Sequence, residues 1–199
     1  MDIVIHSAHH LLTIITDILD FSMMDSNELI IKPKKANIQR LITQAVAGIQ
    51  GQAEKKGLTL ITDIDQSLPG VVFVDPVRLK QILVNLLDNA IKFTEQGSIS
   101  VSARPKEIDR NRKTAKLLFS VKDTGIGINE SLQKGIFEPF SQVDMSNTRK
   151  YGGLGLGLAL SKELLNKMSS NLHLSSAPGN GSVFFFELDL PYAEEGICL

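Results

Sequence analysis

The sequence predicts an α+β fold: a two-layer sandwich in which a mixed sheet packs on helices, preceded by one long helix of a bundle. Some segments place apolar residues at the helical period, and others alternate them at the strand period. The two kinds of segment follow one another without the strict alternation typical of a doubly wound parallel sheet. With 199 residues, the chain is long enough for one substantial hydrophobic core and a small appendage.

The first predicted element is an amphipathic helix over residues 2–24. Its apolar residues recur at alternating spacings of four and three, and further apolar side chains widen the stripe beyond a narrow seam. A stripe of this width needs partner helices, as in a bundle. We therefore expect this helix to pair with a second copy of the chain and to form a homodimer. The stripe comprises Val4, Ala8, Leu11, Ile15 and Ile18.

Turn and capping residues bound the remaining elements. Asn37 caps a helix that Gly57 ends, and Asp75 caps a helix with Pro76 in its first turn. A solvated hairpin loop over residues 105–115 joins the two central strands. In chain order we predict a strand at 28–32, a helix at 38–55, strands at 58–64 and 71–74, a helix at 76–93, strands at 98–104 and 116–122, a helix at 156–168, and strands at 172–176 and 182–190.

Composition excludes several classes of protein. A net charge of -1 provides no global field for a polyanion, so we expect no nucleic-acid partner. Residues 104–116 do hold six basic side chains against Glu107 and Asp109, but no aromatic residue is interleaved with them. The single cysteine, Cys198, excludes a disulfide framework and a cysteine metal site, which fits a cytoplasmic compartment. No apolar run approaches the ~18 residues of a membrane span, so membrane attachment is expected only through other parts of a longer protein.

The helix at 76–93 carries a polar stripe inside an otherwise apolar segment. Asn85, Asn89 and Lys92 lie at positions i, i+4 and i+7, so they share a face on which three polar groups can converge on one ligand. Amide oxygens suit a hard divalent cation, and magnesium that bridges phosphates needs only one or two protein ligands. Taken alone, the stripe fits a solvated helix face equally well.

Three glycine-rich segments supply complementary groups for one ligand. Asp123 ends a strand beside Gly125 and Gly127, so a carboxylate can accept from a planar amine where the backbone approaches closely. Residues 152–157 open a helix, whose N–H groups suit phosphate. Ser182 follows the third glycine turn and can complete a polar pocket. Each segment alone would also fit a plain turn, and the chain has neither a Rossmann fingerprint nor a Walker P-loop.

Together these motifs resemble the catalytic, ATP-binding domain of sensor histidine kinases over about residues 25–191. Any one of the family's five boxes is weak evidence, but all five occur in order and at similar intervals. Residues 140–149 are most similar to hybrid sensor kinases, which usually carry a receiver domain downstream. The N box resembles residues 75–93, the first glycine box 123–127, the phenylalanine box 136–140, the second glycine box 148–157 and the third 179–182.

The resemblance implies how the base of ATP would be held. Asp123 would accept a hydrogen bond from the adenine amine, while Gly125 and Gly127 would let the base lie against backbone. Ser182 would touch the base side, and Phe93 would pack along the nucleotide.

The resemblance also implies a phosphate and metal site. Asn89 would be the main Mg²⁺ ligand, Asn85 would assist it, and Lys92 would reach phosphate oxygens. Arg149 or Lys150 would neutralise the γ-phosphate, where charge matters most during transfer. The ATP lid would span 141–152, and the phosphates would be surrounded by Gly153, Leu154, Gly155, Leu156 and Gly157.

The implied function is donation of the γ-phosphoryl of Mg-ATP to a histidine in an acceptor helix that this sequence does not contain. His6, His9 and His10 lie on the segment similar to the second dimerisation helix, and none has the neighbouring carboxylate and proline of the family's acceptor box. We expect the fragment alone not to phosphorylate itself. The predicted domains are this helix at 1–24, the catalytic domain at 25–192 and a linker stub at 193–199.

Two other functions stay open at this point. Leu154 stands where hybrid kinases usually carry threonine or serine, which suits a non-catalytic regulatory module with a degenerate nucleotide site. An ATP hydrolase of the same fold is disfavoured, because relatives that hydrolyse ATP carry a glutamate base at the position of Asn85. An amide cannot activate water.

Overall fold

The structure, a computed structural model, describes residues 29–141 and 155–193, together with three isolated helical residues, Ile15, Leu19 and Ser22. The rest of the predicted N-terminal helix lies outside the described residues, so that helix and its domain boundary stay predictions. Within the described part of the chain, no helix combines the length and the apolar character needed to cross a bilayer.

The described residues form one mixed sheet of seven strands. The strands are β1 (Lys34–Ala36), β2 (Thr59–Ile64), β3 (Val71–Val74), β4 (Ser98–Asp109), β5 (Thr114–Asp123), β6 (His173–Ser176) and β7 (Ser182–Ala193). Their order is β1-β3-β7-β5-β4-β2, and β6 also pairs with β7. β2 and β4 run parallel, whereas the other neighbours are antiparallel. The register sets Asp123, the last residue of β5, opposite Ser182, the first residue of β7.

Helices cover one face of this sheet. They are α1 (Ile38–Lys56), α2 (Pro76–Phe93), the short α3 (Glu130–Gln133) and α4 (Gly157–Lys167), with a 3₁₀ turn at Gly135–Phe137. Alternate residues of β4, β5 and β7 are buried in the core shared with the helices, while the residues between them mostly keep partial or full solvent contact. This arrangement confirms the predicted α+β two-layer sandwich. Sequence reasoning did not predict α3 or the 3₁₀ turn.

The predicted caps position the two long helices. Asn37 Oδ1 accepts from the backbone N–H of Arg40, and Gly57 ends α1 in the left-handed conformation at φ 67°. Asp75 Oδ1 accepts from the first-turn N–H groups of Val77 and Arg78. These local signals explain why the boundaries of α1 and α2 could be predicted to within one residue.

The strand predicted at 28–32 is wrong, since the edge strand is β1, formed by Lys34–Ala36 and paired with β3. Residues 29–33 have no regular secondary structure. The backbone N–H of Lys32 donates to Asp75 Oδ2 at 2.8 Å instead of to a neighbouring strand. A tertiary contact to the cap of α2 therefore overrides the local strand preference.

The hairpin loop predicted at 105–115 is also wrong, because β4 and β5 continue as a paired ribbon to Asp109 and from Thr114. Ala115 is fully buried in this ribbon, which explains part of the strand extension. Three of its basic side chains lie close to carboxylates. Arg104 pairs with Asp63 of β2, Lys106 with Glu187 of β7, and Arg112 lies 3.8 Å from Asp109. These pairs offset part of the local excess of positive charge.

Lys56, the last residue of α1, binds the C-terminal end of α2. Its Nζ donates to the carbonyl oxygens of Ile91, Lys92 and Thr94 at 2.6, 3.3 and 3.3 Å. These carbonyls lie in the last turn, where a helix leaves acceptors unsatisfied and its dipole is negative. Lys56 therefore joins the two long helices at the end of α2 that carries Lys92 and Phe93.

We expect Lys56→Met to lower the free energy of unfolding by about 1 kcal/mol, because it removes a charged cap but keeps the aliphatic stem. Urea unfolding followed by circular dichroism measures this loss. Lys55→Met is the matched control, since the side chain of Lys55 has no hydrogen bond or ion pair in the described structure and should change stability little. Equal losses in both variants would show that the cap contributes nothing.

Candidate functional site

The polar stripe of α2 faces the first turn of α4. Asn85 Nδ2 donates to the carbonyl of Gly157 at 3.3 Å and lies 3.5 Å from Ser161 Oγ. Its Oδ1 makes no hydrogen bond with any described residue. Asn89, one turn further along, is half-buried and also has no hydrogen-bond partner among the described residues. Two amide groups therefore carry unused acceptors on the same helix face.

Charged groups flank these amides. Lys92 is half-buried, and burial lowers the pKa of its ammonium. Its Nζ lies 5.1 Å from the ring centre of Phe93, which is 36% exposed. Loss of hydration around the carboxyl raises the pKa of Asp88 to about 6, although the residue as a whole keeps solvent exposure. Sequence reasoning missed Asp88, whose spacing of three from Asn85 and four to Lys92 was a usable signal.

Asp123 is a buried carboxylate with one oxygen committed to the protein. Oδ1 accepts from the backbone N–H of Gly125 at 2.8 Å and of Ser182 at 3.2 Å. Oδ2 has no partner among the described residues, yet it is not fully enclosed. The residue is 5% exposed, and burial raises its pKa, with the two backbone hydrogen bonds opposing that rise. Oδ2 is thus a fixed acceptor available to a ligand.

The glycines around Asp123 permit close packing of backbone on backbone. A Cβ on Gly125 would lie 2.3 Å from the carbonyl oxygen of Phe93, at the end of α2. A Cβ on Gly127 would lie 2.0 Å from the carbonyl oxygen of Ala177, and φ there is +67°. A Cβ on Gly181 would lie 2.1 Å from the Asp123 carbonyl oxygen. The first and third glycine segments are therefore packed against each other and against α2. Contact of these glycines with a base stays a prediction.

Ser182 is buried beside Asp123, and its hydroxyl lies 3.0 Å from Ser176 Oγ. Ser176 ends β6 and also bonds Ile128 and Gly181. Sequence reasoning missed Ser176, because nothing in a short alternating strand marks a serine as a hydrogen-bond centre.

The N-terminus of α4 has two features that suit an anion among the described residues. Leu156 stands at the N-cap without a side-chain hydrogen bond, and the first turn holds no acidic residue. Gly155 has φ +70°, and a Cβ there would lie 2.6 Å from the carbonyl oxygen of Ser141, so these two residues meet. N–H groups at such a helix end favour phosphate. Four predicted phosphate-site residues lie outside the described residues, and their roles stay predictions: Arg149, Lys150, Gly153 and Leu154.

Asp123, the amide stripe of α2 and the N-terminus of α4 lie at one end of the fold. Asn85 links the stripe to α4, and the N–H of Ile126 donates to the carbonyl of Phe93 at 3.3 Å, which links the Asp123 loop to α2. The described residues contain no cluster of three or more His, Cys, Asp or Glu suited to hold a metal ion. A divalent cation here would therefore depend on amide oxygens and on oxygens of its ligand, as suits Mg²⁺ bound to phosphates.

Comparison with known proteins gives a consistent picture. The family model described as histidine kinase-, DNA gyrase B-, and HSP90-like ATPase matches residues 74–192. The chain is 40% identical over 189 residues to the sensor protein GacS of Pseudomonas syringae pv. syringae, an alignment that covers 95% of this chain and 21% of GacS. The chain spans about a fifth of the length of the curated relatives it matches.

Two solved structures are similar over nearly the whole chain. Full-length ShkA in complex with AMPPNP has a TM-score of 0.80 at 30% identity, with coverage of 95% of this chain and 38% of ShkA. The histidine kinase ThkA in complex with the response regulator protein TrrA has a TM-score of 0.68 at 26% identity, with coverage of 94% and 49%.

Proposed function

Because the chain belongs to the histidine kinase-, DNA gyrase B- and HSP90-like ATPase family, we propose that it is the ATP-binding catalytic module of a sensor histidine kinase. It binds Mg-ATP and donates the γ-phosphoryl group to a histidine imidazole in an acceptor helix. The observation that carries this proposal is the convergence of a buried carboxylate, an amide stripe and a helix N-terminus without a side-chain cap around the C-terminal half of α2.

The base of ATP binds at Asp123. Its Oδ2 accepts from the adenine amine, while Oδ1 is held by two backbone N–H groups and cannot turn away. Phe93, partly exposed at the end of α2, packs along the nucleotide. Hydrogen bonds to an ionised group in a buried site are stronger than neutral ones, so this contact fixes the position of the base.

Mg²⁺, when bound, neutralises charge on the phosphates and orients the γ-phosphoryl group for transfer. Asn89 fits it as main ligand, because its side chain has no other partner among the described residues, and Asn85 Oδ1 assists. Lys92, which is already partly desolvated, attracts phosphate oxygens more strongly than a fully hydrated lysine would. The N–H groups of the first turn of α4 donate hydrogen bonds to the remaining phosphate oxygens.

Asn85 also favours transfer over hydrolysis. Its amide cannot remove a proton from water, and its Nδ2 is engaged with the carbonyl of Gly157. The γ-phosphoryl group is therefore kept for an external nucleophile. On transfer, the P–O bond to ADP breaks and an imidazole nitrogen forms the new P–N bond.

The test is incubation with γ-labelled ATP, Mg²⁺ and a separately expressed acceptor domain. We expect label on the acceptor that is stable in alkali and labile in acid, as for phosphohistidine, and little phosphate release when the acceptor is omitted. Rapid phosphate release without acceptor would favour the hydrolase. Failure to bind ATP in calorimetry would favour the regulatory module.

The wider assembly follows from the same proposal. We propose that residues 1–24 form the second dimerisation helix next to a catalytic domain at 25–192, and that the protein acts as a cytoplasmic homodimer. Its phosphoryl group would pass to a receiver domain, as suggested by the ThkA complex with a response regulator. Sedimentation of the chain as a stable monomer would contradict dimerisation through this helix.

A further inference from the structure

Ser176 is the centre of the hydrogen bonds that join the first and third glycine segments. Its Oγ accepts from the backbone N–H of Ile128 at 2.8 Å and donates to the carbonyl of Gly181 at 2.9 Å. It also lies 3.0 Å from Ser182 Oγ. With one proton given and two lone pairs occupied, Ser176 has no further hydrogen-bonding capacity.

This arrangement fixes the proton of Ser182. A carbonyl oxygen can only accept, so Ser176 must give its single proton to Gly181. The hydrogen bond between the two serines is therefore donated by Ser182. The Ser182 hydroxyl then offers only lone pairs to a ligand.

Ser182 lies beside the proposed base-binding carboxylate. It is the cross-strand partner of Asp123, so the two side chains are on the same face of the sheet, and both are buried. The Ser182 N–H donates to Asp123 Oδ1, which sets the two groups in a fixed relation. Together, Asp123 Oδ2 and Ser182 Oγ present hydrogen-bond acceptors only.

We propose that Ser176 is a positioning residue that sets nucleobase selectivity by holding the Ser182 proton away from the pocket. This inference rests on the proposed function. The two acceptors Asp123 Oδ2 and Ser182 Oγ match adenine, whose six-position carries an amine donor, and oppose guanine, whose six-position carries a carbonyl acceptor. Without Ser176 Oγ, the Ser182 hydroxyl can rotate and donate to that carbonyl.

The experiment compares the dissociation constants of Mg-ATP and Mg-GTP for wild type and Ser176→Ala. We expect wild type to bind Mg-ATP more tightly than Mg-GTP. The Mg-GTP dissociation constant divided by the Mg-ATP dissociation constant should be about tenfold lower in Ser176→Ala than in wild type. Ser176→Thr keeps the hydroxyl and should show the same ratio as wild type. The double variant Ser176→Ala with Ser182→Ala should also restore it, because the hydroxyl that turns toward guanine is gone.

A matched control is Ser102→Ala. Ser102 and Ser120 form another hydroxyl pair in the same sheet, 2.8 Å apart and part-buried, on strands β4 and β5. Its loss should leave the ratio unchanged. If Ser176→Ala is too unstable to assay, Ser176→Cys keeps the size with much weaker hydrogen bonds and should show the same fall in ratio.

Equal weakening of ATP and GTP binding in Ser176→Ala would overturn the inference, because a purely structural role predicts no change in selectivity. That result would leave the proposed function standing. Failure of wild type to bind either nucleotide would instead overturn the proposed function, and this inference with it.

Discussion

Asp123→Asn should lower the affinity for Mg-ATP by about 100-fold while the fold stays intact. The substituted amide can still accept the hydrogen bonds of Gly125 and Ser182 at Oδ1. Its nitrogen replaces Oδ2 and presents a donor to the adenine amine, which is itself a donor. Two opposed donors leave both unsatisfied in a buried site, and about 100-fold corresponds to about 2.8 kcal/mol.

We expect the same carboxyl to give ATP binding a pH dependence. Burial raises the pKa of Asp123 above the ordinary 3.8, and only the ionised form offers the acceptor that adenine needs. Affinity should therefore be full above the raised pKa and fall as the pH drops through it. Asp123→Asn should lack this component, so the difference between the two proteins separates the titration of Asp123 from that of ATP.

Asp123→Asn should change the free energy of unfolding much less than the affinity for Mg-ATP. Because the folded-state pKa of Asp123 is raised, ionisation above that pKa opposes folding, and a neutral amide avoids this cost. The free energy of unfolding of Asp123→Asn at pH 7 should thus stay within about 1 kcal/mol of wild type. Calorimetric titration and thermal unfolding measure both quantities, with the exposed Asp189→Asn on β7 as control. Unchanged affinity in Asp123→Asn would remove this carboxylate from the base site.

Local signals explain which elements could be predicted from the sequence. α2 was predicted from an apolar period, a capping Asp75 and Pro76 in the first turn, and the structure confirms each of them. The position of β1 could not be predicted, because it depends on the bond from Lys32 to Asp75, residues far apart in sequence. The ends of β4 and β5 depend likewise on cross-strand partners such as Glu107 and Lys116.

In the candidate site, too, local patterns predicted some residues and missed others. Residue type and spacing were enough to single out Asn85, Asn89 and Asp123, because each needs only its own element to be placed. The reason for glycine at 127 is a carbonyl of Ala177, fifty residues later, which no local pattern reveals. Ser176 was invisible for the same reason: its hydrogen bonds exist only once three segments have come together.

Asn89→Ala should lower the affinity for ATP in the presence of Mg²⁺ by about 30-fold, near 2 kcal/mol, since it removes the main protein ligand proposed for the metal. The truncated side chain has no other partner among the described residues, so the substitution breaks no hydrogen bond between them. The loss of affinity should therefore appear without a comparable loss of thermal stability.

Binding measured with and without Mg²⁺ distinguishes loss of a metal ligand from a general defect of the nucleotide site. With EDTA in place of Mg²⁺, wild type and Asn89→Ala should bind ATP with equal affinity, because an uncharged amide contributes little to phosphate binding on its own. Asn166→Ala, at an exposed asparagine of α4, is the matched control and should behave as wild type with and without metal. A 30-fold loss that persists in EDTA would assign Asn89 to direct nucleotide contact, and no loss in Mg²⁺ would leave the metal to other ligands. If the difference between the two proteins appears only with Mg²⁺, the amide stripe of α2 acts through the metal, which is the role that places the γ-phosphoryl group for transfer.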